Sequence, residues 1–240
     1  MLDCMVNEFI VILNGASALI LIIIAFCFAV LWLYYYTKKE SKRHLNLFFL
    51  AMAVGFGWMG ITITFLSVML FGYNVAGVES IISYFSYSTI PVGAITVIYL
   101  TWDVFGSPTN KKHVLIAFAI YSAIYYILLY TTFNQAVIIS DTGIILDDWI
   151  TPFSVFYYIL WGQVLFAAII SSLGFNKFRK ATTGDMSARS LGVIIASGIV
   201  GGGILLDTVI LMEGQVLLLF IPRLMMIGGL SLIHWSFRLS

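Results

Sequence analysis

Residues 9–36 read FIVILNGASALILIIIAFCFAVLWLYYY, and residues 37–44 that follow read TKKESKRH. No aspartate, glutamate, lysine or arginine interrupts the first run, whereas the second carries Lys38, Lys39, Lys42 and Arg43. A helix needs about 20 apolar residues to cross the hydrocarbon core of a bilayer. The run therefore spans one with residues to spare, and the charged octet is its flank. It is far longer than the apolar core of a secretory signal, and no cleavage site precedes the flank. It reads as a first membrane helix.

The same alternation repeats to the end of the chain. Of 240 residues, 61% are hydrophobic and 10% charged, with a mean hydropathy of +1.04. Soluble domains carry about a quarter charged residues, so the composition is that of a polytopic membrane protein. Further apolar runs lie at 45–72, 80–103, 114–133, 152–175, 190–212 and 215–237. Between them stand a Gly/Asn turn at 72–77, a Gly/Pro/Asn/Lys turn at 106–113 and a longer polar loop at 134–151. A charged loop at 176–189 and the tight Glu213-Gly214-Gln215 turn complete the set. The expected fold is all-α, a seven-transmembrane-helix bundle forming one domain over 1–240. No soluble domain is expected beside it. No internal repeat is visible, so the inverted-repeat logic of many transporters finds no support.

Charge placement sets the expected orientation. Lys38, Lys39, Lys42, Arg43, Lys111, Lys112, Lys177, Arg179, Lys180, Arg189 and Arg238 all fall on one side of such a bundle. Asp3, Glu8, Glu79, Asp141, Asp147, Asp148 and Glu213 fall on the other, with no lysine or arginine among them. Cationic loops stay in the cytoplasm. The N-terminus is thus expected outside and the C-terminus inside, in a multi-pass protein of the cell membrane. Trp32, Tyr34, Tyr35, Trp102, Trp149 and Trp235 suit interfacial belts. A net charge of +1 points to no nucleic-acid partner. Cys4 and Cys27 have no metal-ligand or disulfide spacing and read as structural.

Two ionisable residues break the last apolar runs. Asp207 lies about five residues inside the sixth, Arg223 about eight inside the seventh, and at 1.5 Å per residue their depths nearly match. A tight turn makes the two helices antiparallel neighbours, so an ion pair is geometrically easy, and low dielectric makes it close to obligatory. Two readings stay open: a lock on the register of the last two helices, or the floor of an outward-facing pocket. In the second, Arg223 and Asp207 bind a ligand between walls formed by Tyr84, Tyr87 and Gln163. The polar run Ser83, Tyr84, Ser86, Tyr87, Ser88 and Thr89, with Asn14 at a similar depth, favours a cavity. Pro91 and Pro222 each remove a helical hydrogen bond and are candidate hinges. Gly192, Ala196 and Gly203 share one face with Asp207, Gly198 and Gly202 form a GxxxG, and Gly228-Gly229 follow; small residues let helices approach closely in lipid.

Several chemistries find no support. Retinal attachment needs a lysine in the seventh helix; every lysine here is in a loop, so no retinal cofactor is expected. His44, His113 and His234 sit at the cytoplasmic flank, which argues against an intramembrane metal site. No GxSG with a histidine at depth, potassium-type filter or arginine-repeat voltage sensor occurs. An enzyme is not expected.

The run from Ile194 through Gly201-Gly202-Gly203-Ile204-Leu205-Leu206-Asp207 to Pro222, Gly228-Gly229, Trp235 and Phe237 resembles the last two helices of seven-helix prokaryotic membrane sensor regions, as found before histidine kinases. The topology also looks like that of microbial rhodopsins without the retinal lysine. The resemblance implies sensing of a small or lipophilic ligand. It leads to a receptor-like or sensor-like protein signalling through a partner, such as another membrane protein or a second copy. The alternatives are an ion channel or transporter using the same polar cavity, and a structural or assembly subunit of a membrane complex.

Overall fold

A computed structural model describes residues 2–74, 78–105, 108–132, 137–142, 145–212 and 216–238. In chain order these form α1 (Leu2–Lys39), α2 (Lys42–Gly57), α3 (Met59–Phe71), α4 (Val78–Ser88), α5 (Ile90–Phe105) and α6 (Pro108–Thr131). The hairpin strands β1 (Val137–Thr142) and β2 (Ile145–Ile150) follow. Then come α7 (Val155–Ala181), α8 (Gly184–Met212), a 3₁₀ turn at Val216–Leu219 and α9 (Phe220–Phe237). Among the described residues, five segments are long and apolar enough to cross a membrane: Ile12–Lys39, Lys111–Thr131, Val155–Ala181, Gly184–Thr208 and Phe220–Phe237. A sixth is added if α2 and α3, bent by 48° at Trp58, count as one broken span. The chain is thus helical, with the helices of a membrane protein. The side chains of Asp3, Cys4, Glu8, Glu79, Ser83, Asp141, Asp147, Trp149 and Glu213 lie outside the described residues.

The apolar run at 80–103 is not one helix but two, separated at Thr89. Pro91 explains the break. It has no N–H, so the carbonyl four residues earlier, on Tyr87, loses its helical donor. The Tyr125 hydroxyl of α6 donates to that carbonyl at 2.7 Å, and the Tyr126 hydroxyl donates to the neighbouring Ser88 carbonyl at 2.7 Å. Two tyrosines of α6 thereby bind the break. Pro222 acts differently from an interior kink: it lies in the first turn of α9, where the chain passes from 3₁₀ to α geometry and a proline is tolerated.

The segment expected as a polar loop, 134–151, contains an antiparallel hairpin with Val137 opposite Ile150 and Asp141 opposite Leu146. Its β-branched runs, Val137-Ile138-Ile139 and Ile144-Ile145, flank Asp141-Thr142-Gly143 and favour this form. Val137 and Ile150 are buried in a cluster with Tyr87, Tyr125, Leu129, Phe156, Leu160 and Leu205. The strands pack on α3, α4 and α8, so the hairpin lies against one end of the bundle.

Packing of α8 on α9 depends on three glycines. A Cβ on Gly203 would stand 2.9 Å from the Pro222 carbonyl and from Met226 Cγ, and one on Gly229 would clash with Val200 Cγ2. Gly192 is crowded likewise by Ser236 and Trp235. Gly198 and Gly228 meet nothing within 4 Å, so the Gly192/Ala196/Gly203 face makes the crossing rather than the GxxxG. Trp32, expected at the lipid interface, is buried against Phe28 in the core, near His234. Tyr34 and Trp235 are exposed, as a membrane belt requires.

Candidate ligand cavity

Asp207 on α8 and Arg223 on α9 meet, Oδ1 to Nε, at 3.6 Å. Arg223 is only 1% exposed. Its Nη1 donates to the Asn14 carbonyl at 2.6 Å, to the Asn14 side-chain oxygen, and to Ser17 Oγ at 3.2 Å, both residues of α1. The Trp58 indole N–H, at the bend between α2 and α3, donates to Asp207 Oδ2 at 3.2 Å. One buried network therefore joins α1, α8, α9 and the bend. A guanidinium has five donors in a rigid fork, and here the fork is turned towards α1.

Beside the network lies a cavity of about 140 Å³, enclosed by α2, α3, α4, α5, α7, α8, α9 and the hairpin. It exists because its walls carry small residues where helices converge: Ala53, Gly57, Gly93, Ala94, Ala167, Ala168 and Gly201. The two helix breaks meet beside it, since a Cβ on Gly57 would stand 3.3 Å from Thr89 Oγ1. At the hairpin end it is lined by Asp148, Asp207, Trp58, Ser86, Thr89 and Thr208. Deeper in, the walls are apolar, with Leu50, Val97, Leu230 and Ile233, relieved only by Ser197. Polar groups at one end and hydrocarbon at the other make an amphipathic chamber. Its volume is close to the roughly 150 Å³ of an apolar cavity that takes up benzene.

The structure separates the residues that the sequence grouped. Asp207 and Tyr87 line the cavity. Arg223 does not; it meets Asp207 from behind, through the α1 network. Tyr84 is 39% exposed and stacks on Tyr130 at 5.4 Å, away from the chamber. Gln163 is fully buried, but its Nε2 donates to Ser122 Oγ at 3.2 Å in the α6–α7 contact. Pro91 sits beside the wall, between Ile90 and Val92, and Pro222 lies under Gly203. Trp58, Asp148, Ser197 and Thr208 are cavity residues that the pattern of apolar runs did not single out. Asp148 had a signal, the paired β-branched runs around it. Trp58 had one too, as a lone indole next to Gly57 in mid-run.

At the opposite end of the bundle, Asp103 of α5 accepts from Lys111 of α6 at 3.1 Å and lies 3.7 Å from Arg43 of α2. Lys111 also sits 3.4 Å above the Tyr99 ring. These contacts fix the short turns there and do not reach the cavity.

No protein-family model matches this chain, and no curated protein matches it.

Proposed function

We propose that this chain is a receptor-like or sensor-like seven-helix membrane protein that holds a small molecule in its central cavity and passes the event to a partner protein. The observation carrying this reading is the chamber itself: bordered by a hairpin, polar at that end, apolar below, and placed beside the breaks at Trp58 and Thr89. This reading takes α4 with α5, which are separated at Thr89, as the seventh pass. The distribution of lysine and arginine favours an N-terminus outside and the hairpin end facing out, in the cell membrane. Asp207 and Tyr87 belong to the ligand wall, while Arg223 holds Asp207 in place. Pro91, at the α4–α5 break, is the hinge through which occupancy reaches the opposite end. No catalytic step, metal or cofactor is part of this proposal.

The test is ligand-induced stabilisation in lipid nanodiscs against a library of ring-sized lipophilic compounds. A compound at a hundredfold excess over its dissociation constant adds about 2.7 kcal/mol. Ala168→Phe, which fills the chamber, removes that gain, whereas Ile169→Phe on the exposed face of α7 keeps it. Stabilisation that survives Ala168→Phe would place binding elsewhere and sink the reading.

Transport is a second reading, favoured by one observation. A smaller void of about 20 Å³ continues towards the opposite end and shares Leu50, Val97, Ser197 and Ile233 with the chamber. Aligned voids beside discontinuous helices are the setting of many transporter sites. This reading expects purified protein in liposomes to move a solute, with the flux altered by Asp207→Asn; an inert liposome excludes it.

A further inference from the structure

We infer that the occupant of the cavity is a neutral, ring-sized lipophile whose polar group is a hydrogen-bond donor, an alcohol or a phenol. The inference rests on the pocket reading above and adds the chemistry of the ligand's head. It comes from the direction of the hydrogen bonds at the chamber's polar end. A threonine hydroxyl has one hydrogen to give and two lone pairs to receive. Thr208 gives its hydrogen to the Leu205 carbonyl at 2.7 Å. Thr89 turns its hydrogen to the Phe85 carbonyl, at 3.5 Å. The Trp58 indole N–H goes to Asp207 Oδ2 at 3.2 Å. All three residues line the chamber. Their hydrogens are committed to protein acceptors, whereas the threonine oxygens keep lone pairs. A ligand that offers only an acceptor has first to break one of those bonds. One that brings its own hydrogen adds a bond and breaks none.

The rest of the chamber argues against a charged ligand. Below the polar end its walls include Leu50, Val97, Leu230 and Ile233, and the Ser197 hydroxyl there is paired with Ser171 at 2.8 Å. A charged head would lose its water among these walls, and repaying that loss takes a matched partner. Among the described residues that line the chamber there is no lysine, arginine or histidine to match an anion. Asp207 is matched already, by the Trp58 indole and by Arg223. Asp148 likewise interacts within the protein. A hydroxyl on one ring needs no counter-charge: its hydrogen goes to a threonine oxygen and its body to hydrocarbon. The volume, about 140 Å³, suits one ring with a short arm.

Three probes with one carbon skeleton decide the matter: 1-phenylethanol, acetophenone and 1-phenylethylamine. The first brings a donor, the second only an acceptor, and the third, protonated at neutral pH, a charge. Each is titrated onto the full chain in zwitterionic nanodiscs, with empty nanodiscs subtracted for partitioning. The alcohol is expected to bind about fivefold tighter than the ketone, the worth of one net hydrogen bond, with the amine weakest. Thr208→Val, which keeps the shape and removes the acceptor, is expected to bring the alcohol down to the ketone's affinity. A ketone that binds as well as the alcohol overturns the donor, and an amine that binds tightest overturns neutrality; in both cases the pocket stands. A preference for the alcohol that survives both Thr208→Val and Thr89→Val overturns the assignment to the threonines. If none of the three binds, or binding survives Ala168→Phe, the pocket reading itself falls, and this inference with it. The wild-type ranking decides alone if Thr208→Val fails to fold.

Discussion

The Pro91 break gives a prediction whose size follows from one hydrogen bond. Tyr125 is completely buried, and its hydroxyl donates at 2.7 Å to the Tyr87 carbonyl that Pro91 leaves without a helical donor. Tyr125→Phe strands that buried acceptor, at a cost of about 1–3 kcal/mol. Pro91→Ala restores an N–H four residues on, and a continuous helix then serves the carbonyl from within. In that background Tyr125→Phe should cost less than about 1 kcal/mol, giving a coupling of about 1–2 kcal/mol between two residues on different helices. Tyr126→Phe is the control. Its hydroxyl serves the Ser88 carbonyl, whose donor four residues on, Val92, keeps its N–H. Its cost should be nearly the same with and without Pro91. Equilibrium unfolding in mixed dodecylmaltoside–SDS micelles, read by far-UV circular dichroism, measures all four corners of the cycle. An equal cost for Tyr125→Phe in both backgrounds refutes the proposed origin of the break.

Further outcomes follow from the same contacts. Asp207→Asn leaves the Arg223 guanidinium buried without its counter-charge and should cost about 3–5 kcal/mol; adding Arg223→Met should return part of that loss, measured in the same micelles. Gly229→Ala should destabilise by about 1–3 kcal/mol because its Cβ meets Val200 and the Ala196 carbonyl. The adjacent Gly228→Ala meets nothing and should be neutral or stabilising by up to about 1 kcal/mol. Tyr84→Ala and Gln163→Leu lie off the chamber, so binding of any cavity ligand should stay within about twofold of wild type, a change of under about 0.5 kcal/mol.

What was legible in the sequence divides along physical lines. Asp207, Arg223 and Asn14 stood at matching depths in apolar runs, and an unpaired charge there is too costly to leave alone; the structure joins all three. The glycine face of α8 was equally readable, since Gly192, Ala196 and Gly203 repeat at helical spacing. The wall of the chamber was harder to read. Residues 83–89 are almost all polar, so periodicity cannot choose which face turns inward, and Tyr84 was grouped with Tyr87 although the two diverge. Gln163 looked like a ligand group but has a private partner in Ser122. The cavity itself is an absence of side chains, and glycines and alanines report it only after the helices are in place. The hairpin escaped because its short β-branched runs sit between far stronger helical signals.

The most direct measurement of a chamber reached from the N-terminal side is the reactivity of one cysteine in its wall. Thr208→Cys is placed in a Cys4→Ser/Cys27→Ser background and reconstituted in sealed vesicles of known orientation. The rates of modification by the permanently charged 2-trimethylammonioethyl and 2-sulfonatoethyl methanethiosulfonates are then compared from each side. The expected result is rapid labelling from the N-terminal side. Labelling only from the opposite side, or only after unfolding, would contradict it.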